Sequence, residues 1–217
     1  LPSIIVHGGA GEYDPGEKQD RGVASSAEAG WEILESGGSA VEAVEAAIVV
    51  MEDDPTFRAG YGSSLTFTGE VETDASIMAG DLSCGAVGAM TAAANPIRAA
   101  RLVMEKTDHI LLAGPGADEF ARRMRLPTRD LRTAERMELH ARLRREFSEG
   151  QEIKFMPRLR ELGWVTELGT VGAAAVDADG RVAAGTSTGG IMMKLPGRVG
   201  DSALIGAGTY ANESGAV

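Results

Sequence analysis

A layered α+β domain is the fold class this sequence predicts, and three observations carry the prediction. Helix-period apolar residues recur between about 20 and 54, and glycine-punctuated β-like runs fill 57–94. Near the end, two apolar runs, "TVGAAAV" and "RVAAGTSTGG", are joined through "DADG", whose Asp-Gly pair is a strong tight-turn signal. Strands, then helices, then strands again imply helices layered on a sheet. The 217 residues suffice for one domain or a tight pair, with a core that needs neither metal nor disulfide.

In order along the chain, Ser3 to Val6 of "SIIVHGGAG" reads as a short buried strand, running into a glycine turn whose amides can line a cavity. His7 at its end reads as a structural residue, with a site role as the minority alternative. A helix is expected over Asp20 to Glu35, stopped by Gly37 and Gly38, and Ser39 opens the next. Ser39 and Glu42 match the capping box, in which each side chain satisfies a free amide at the helix start. Val41, Val44, Ile48 and Met51 then recur at helical spacing, and Asp53, Asp54 and Pro55 end the element. That stripe predicts core, not a cofactor site. Several hairpins are expected from Phe57 to Ala94, then a helix from Pro96 and a strand near Ile110 to Leu112.

Residues 121–169 differ in charge. They hold 12 of the 21 Lys and Arg against eight acids, inside a chain of net charge -11. A solvated, partly helical linker interrupted by Gly150, Pro157 and Gly163 is the plainer reading; an arm for acidic partners is the other. The overall charge repels phosphate backbones and anionic membranes, so small molecules or peptides are the expected ligands, with no nucleic acid and no membrane. No run reaches the ~20 apolar residues of a membrane span. The single cysteine, Cys84, fits a buried small hydrophobe in a reducing compartment, so a cytoplasmic location is expected, although a chain opening at Leu1 leaves room for a removed export signal.

The Asp-Gly turn makes Thr170 the start of one strand and Thr186 to Thr188 the end of its partner, so the two ends lie side by side. A threonine hydroxyl is a poor nucleophile at neutral pH and needs a base at its oxygen. The three histidines, His7, His109 and His140, show no familiar arrangement with Ser or Asp, no Cys/His cluster suits zinc, and "GPGADEF" is no phosphate loop. One base needs no second side chain: the α-amino group of a threonine that has become a chain terminus, which ordinarily titrates at about 7.7 to 8.0 against roughly 10.4 for lysine. Cleavage between Gly169 and Thr170 would create it.

The stretch "GTVGAAAVDADGRVAAGTSTGGIMMKLPGRVGDSALIGAGTYANE" resembles the plant-type L-asparaginase and isoaspartyl peptidase family of N-terminal-nucleophile hydrolases. "HGGAG", "DPTFRAGYGSSLT", "TDASIMAG" and "NPIRAARLVME" resemble its N-terminal half in the same order, and the resemblance covers most of the chain outside 121–169. It implies a four-layer αββα sandwich: one globular domain assembled from an α-subunit part, 1–169, with a basic mobile linker over about 121–169, and a β-subunit part, 170–217. It implies that Thr170 is a nucleophile released by autoproteolysis after Gly169, that Thr188 orients its hydroxyl and amine, and that Arg198, Gly200 and Asp201 of "GRVGD" hold the substrate's α-carboxylate and α-amino group.

The same resemblance implies no cofactor for catalysis, a homodimer of processed protomers, and a structural sodium ion on backbone oxygens of the Met51–Tyr61 loop, from Met51, Glu52, Asp54, Phe57, Ala59 and Tyr61. Glycosylasparaginases tend to carry Asn at Gly190, and the related threonine aspartase Gln at Asp201, so L-asparagine and β-aspartyl dipeptides are the favoured substrates. Two departures stand out. Arg58 replaces a frequent asparagine, and the sequence stops at "NESGAV" where relatives continue into a Thr-Gly pair that helps form the oxyanion site. Loss of one oxyanion donor costs about 100- to 1000-fold in rate. The alternatives are therefore a non-catalytic or unprocessed amino-acid-binding relative, or a glycosylasparaginase-like amidase.

Overall fold

The computed structural model describes residues 1–9, 17–149 and 169–217. Among the described residues, six strands form one sheet: β1 (Ser3–His7), β2 (Thr73–Ala79), β3 (Cys84–Met90), β4 (Leu111–Ala113), β5 (Val171–Val176) and β6 (Val182–Thr188), in the order β1-β5-β6-β2-β3-β4. All neighbours are antiparallel except β3 and β4. Three helices, α1 (Glu17–Glu35), α2 (Ala40–Asp53) and α3 (Pro96–Lys106), pack on one face. Two more, α4 (Gly114–Arg123) and α5 (Ala134–Ser148), follow, and a two-stranded ribbon, β7 (Ala211–Asn212) with β8 (Gly215–Ala216), lies against the other face of β6. The layered α+β prediction agrees with this mixed architecture.

The capping box is present at the start of α2: the Glu42 amide donates to Ser39 Oγ at 3.3 Å, and the Ser39 amide to Glu42 Oε2 at 2.9 Å. Val44, Ile48 and Met51 are wholly buried, each contributing about 1.5–3 kcal/mol of apolar burial. Their seat is the Ala- and Gly-rich surface of β5 and β6, small enough for the helix to approach closely. Asp177 fixes the join, since its carboxylate accepts from Asp179 and Arg181 within its own turn and from the Ala40 amide at 3.3 Å.

Alternation along the central strands splits the sheet into two faces. Ile77, Gly85 and Gly185 lie in one register row, and a Cβ at Gly185 would touch Val44 and Ile48 of α2. Asp74, Ser76, Thr186 and Thr188 belong to the opposite face, away from these helices. At Gly85 a Cβ would stand 2.2 Å from the Ala100 carbonyl oxygen and 2.4 Å from the Met104 amide nitrogen, both helix backbone. Gly85→Ala is expected to cost about 2–3 kcal/mol through overpacking, read as a lowered urea midpoint at unchanged slope.

Two expectations need correction. Among the described residues β1 is a sheet edge paired only with β5, so its residues alternate between exposed and half-buried, and Ile5 is 72% exposed. Only one hairpin, β2–β3, occupies the 57–94 stretch; residues 57–72 form a loop with isolated bridges, because Leu65 and Val71 are buried in a cluster with Leu131, Met192 and Met193 rather than in a ladder. "GPGADEF" opens α4, with its proline in the first helical turn. Within the basic stretch, α5 is capped by Thr133, whose Oγ1 accepts from the Arg136 amide. Gly150, Pro157 and Gly163 lie outside the described residues.

Candidate active site

Thr170 stands one residue ahead of β5 and Thr188 closes β6, and the Val171–Ser187 pairing sets them opposite each other. Their hydroxyls meet, Thr170 Oγ1 donating to Thr188 Oγ1 at 3.2 Å. Thr188 Oγ1 in turn donates to the Gly169 carbonyl oxygen and accepts the Gly190 amide at 2.9 Å. A relay of hydroxyls therefore runs from the Thr170 side chain to the carbonyl just before it. Such a donor polarises that carbonyl and would stabilise charge growing on its oxygen. Thr188 is only 3% exposed, so this hydrogen bond is shielded from water.

The 57–63 loop closes the site from one side. The Arg58 carbonyl accepts from the Gly189 amide at 3.1 Å and from Ser63 Oγ at 3.4 Å. Arg58 has φ +59°, a region where asparagine is at less disadvantage than other side chains. A Cβ on Gly169 would come within 3.0 Å of Arg58 Cβ, so the residue ahead of Thr170 is closely confined. Gly190, at φ +69°, has the Lys194 ammonium 2.7 Å from where a Cβ would sit; an asparagine there would have to displace it.

Arg198, Gly200 and Asp201 share one loop, which runs into a 3₁₀ turn over Asp201–Ala203. Arg198 is half-buried and Asp201 exposed. The loop backbone is tied to β2 at two points: the Gly200 amide donates to Asp74 Oδ2 at 2.8 Å, and the Ser202 carbonyl accepts from Ser76 Oγ at 2.6 Å. Thr186 Oγ1 also donates to the Ser202 carbonyl, at 2.9 Å. Asp74 lies directly opposite Thr188 in the β2–β6 register, so the loop is fixed beside the hydroxyl relay. Lys194 is buried below the loop and donates to the Glu72 carbonyl at 2.7 Å. Burial lowers its pKa, and the negative charges of Asp74 and Glu72 counter that effect.

Met51 to Asp53 are the last residues of α2, and the loop that follows them to Tyr61 returns onto the helix end. The Tyr61 amide donates to the Glu52 carbonyl at 2.7 Å, and the Phe57 amide to the Asp54 carbonyl at 3.2 Å. No group of three His, Cys, Asp or Glu side chains suited to a metal occurs among the described residues, so a cation here would rest on backbone oxygens, at the negative end of the helix dipole. The Glu52 side chain is used otherwise. It is fully buried, and Oε1 accepts from Ser187 Oγ at 2.6 Å and from the Ile97 amide at 3.0 Å. Burial pushes its carboxyl up to about 8 against the pull of these hydrogen bonds, so the protonated form predominates at neutral pH.

His7 makes no hydrogen bond to the relay hydroxyls among the described residues; its ring fills the space beside Gly172, two residues after Thr170. Cys84 is half-buried against Met78 and Ala184, and burial raises its thiol pKa. Asp74, Ser76, Ser187 and the Glu52 side chain escaped the reading of the sequence. The signal for the first two was a carboxylate and a hydroxyl spaced by two within the apolar run "TDASIMAG", which puts both on one face of a strand.

No helix among the described residues is long and apolar enough to cross a membrane. The family model described as Asparaginase matches residues 1–217. The isoaspartyl peptidase/L-asparaginase of Rattus norvegicus is 48% identical over 221 residues, covering 99% of this chain and 64% of that protein. The plant-type L-asparaginase of Pyrococcus furiosus is 49% identical over 222 residues, covering 98% of the chain and 71% of that protein. The human isoaspartyl peptidase/L-asparaginase is 48% identical, with 100% and 70% covered. The chain thus spans about two thirds of the length of these relatives.

Proposed function

This chain belongs to the asparaginase family, and on that footing we propose that it is an autoproteolytically activated threonine amidohydrolase. Its substrates are L-asparagine, converted to L-aspartate and ammonia, and β-aspartyl dipeptides. The observation that carries the reading is the hydroxyl relay from Thr170 through Thr188 to the Gly169 carbonyl. In maturation, Thr170 Oγ1 attacks the Gly169 carbonyl carbon, the Gly169–Thr170 C–N bond breaks, and the nitrogen becomes the α-amino group of Thr170. Water then hydrolyses the resulting ester and leaves Gly169 as a carboxylate. The freed amine takes the proton of its own hydroxyl, Thr170 attacks the substrate's side-chain amide carbon, and ammonia or an amino acid departs. A second water releases aspartate.

Arg198 suits the α-carboxylate and Asp201 the α-ammonium group, with the Gly200 backbone between them. The finer architecture belongs to the same proposal: a four-layer αββα sandwich with an α part of 1–169 and a β part from 170, two processed protomers per molecule, and a cytoplasmic site of action. A structural sodium ion would sit on backbone oxygens among Met51, Glu52, Asp54, Phe57, Ala59 and Tyr61, where it would brace the loop that carries Arg58. It has no part in the steps above.

Mass spectrometry of the purified full-length protein tests the reading, beside an assay of ammonia release from L-asparagine. Two fragments divided after Gly169 are expected. A lasting single chain with full hydrolysis would overturn the mechanism. Thr188→Ala removes the donor on the scissile carbonyl and is expected to slow self-cleavage by about 100- to 1000-fold, followed as the decay of the intact band with time.

A further inference from the structure

The Arg198–Asp201 loop owes its position to β2, a strand to which the mechanism assigns nothing. Asp74 is completely buried, and each of its carboxylate oxygens accepts one backbone amide: Oδ1 that of Ala89 and Oδ2 that of Gly200, both at 2.8 Å. The first amide belongs to β3, at a residue held at φ +47° where the β2–β3 register shifts; the second belongs to the loop itself. Two residues on, Ser76 Oγ donates to the Ser202 carbonyl, reinforced by Thr186. One strand face thus holds the loop backbone at Gly200 and Ser202, on either side of Asp201 and two residues beyond Arg198.

A buried carboxylate is costly unless its oxygens are met by donors and its charge is answered. Lys194, buried close by, supplies opposite charge. Plain packing would be served better by an apolar residue, since strand neighbours such as Ala75 and Ile77 fill their positions with hydrocarbon. What an apolar residue cannot do is hold two amides from different segments at fixed spacing. Asp74 also faces Thr188 across the β2–β6 pairing, so the distance from loop to nucleophile is set through a single residue row.

We propose that Asp74 is a positioning residue for substrate binding: by holding the Gly200 amide it fixes Arg198 and Asp201 relative to Thr170 and Thr188. The inference rests on the functional reading above and deepens it. Asp74 does not act on the reacting atoms, and self-cleavage, which involves Gly169, Thr170 and Thr188, does not call on the loop. Disturbing Asp74 therefore separates the two activities.

The test is Asp74→Asn in the full-length protein, together with Arg198→Ala and the double variant. An asparagine of the same shape keeps one acceptor and turns an NH₂ group toward the other amide. Expected are self-cleavage after Gly169 at close to the wild-type rate, a KM for L-asparagine raised tenfold or more, and kcat within about threefold. In the Arg198→Ala background the same change should add less than threefold to KM, because both substitutions remove one interaction. A cleaved Asp74→Asn protein with wild-type KM, or effects on KM that simply multiply, would overturn the proposal. Should Asp74→Asn fail to fold, amide hydrogen exchange of the wild-type protein takes its place, read at the Gly200 amide before L-aspartate is added. Slow exchange there supports the assignment, and exchange as fast as that of an open loop refutes it. A wild-type protein that neither cleaves nor hydrolyses overturns the functional reading itself, and this inference with it.

Discussion

Thr170→Ala is expected to leave the chain in one piece and to lower hydrolysis of L-asparagine by at least ~10⁴-fold. The substitution deletes the oxygen proposed to attack in both steps, and with it the hydrogen bond to Thr188. Thr188 would keep its contact with the Gly169 carbonyl, so the fold should persist with the scissile bond polarised but unattacked. Thr170→Ser restores a hydroxyl without the γ-methyl group and should recover both cleavage and turnover at reduced rates. Gel electrophoresis and ammonia release read the two activities separately. A cleaved alanine variant would mean that some other group attacks Gly169. On the proposed mechanism the base in the cleaved wild type is an α-amine, a group that ordinarily titrates near 7.7–8.0, so kcat/KM should rise with pH below about that range and level above it.

Glu52→Ala should be the most destabilising single change near the site, at about 3–5 kcal/mol. It orphans the Ser187 hydroxyl and the Ile97 amide, each at about 1–3 kcal/mol, and leaves a cavity where a fully buried side chain stood. At this chain length such a loss lowers Tm by about 10 °C or more, measurable by calorimetry. Turnover should fall as well, because Ser187 adjoins Thr188 on β6. Glu52→Gln, uncharged and nearly isosteric with the protonated acid that burial favours, should cost much less. Equal losses for the alanine and glutamine variants would refute this account of the residue.

How much of this was legible in the sequence depended on whether the cause was local. The Asp-Gly turn fixed the β5–β6 hairpin, and with it the meeting of Thr170 and Thr188; the Ser39–Glu42 box fixed the start of α2. Those signals act over a few residues. The 57–72 loop was misread because Leu65 and Val71 take their burial from Leu131, Met192 and Met193, far along the chain, and no local period records that. Likewise Asp74 gains its meaning from the Gly200 amide, 126 residues away, and Glu52 from Ser187, 135 residues away. The positions of Arg198 and Asp201 came from resemblance alone, since the spacing of two charges says nothing about what holds them.

The division of β6 into two faces limits how this member of the family can drift. Thr186 and Thr188 look one way, Gly185 and Ser187 the other, toward α2 and the Glu52 carboxyl. Dropping one residue inside 182–188 would turn the orienting hydroxyl into the helix layer and send its neighbours out in exchange. The Asp177–Gly180 turn, whose contacts are with its own ends and the head of α2, can absorb such a change far more readily. Length variation among descendants of this gene should therefore collect at that turn, and inside the strand be tolerated only in steps of two.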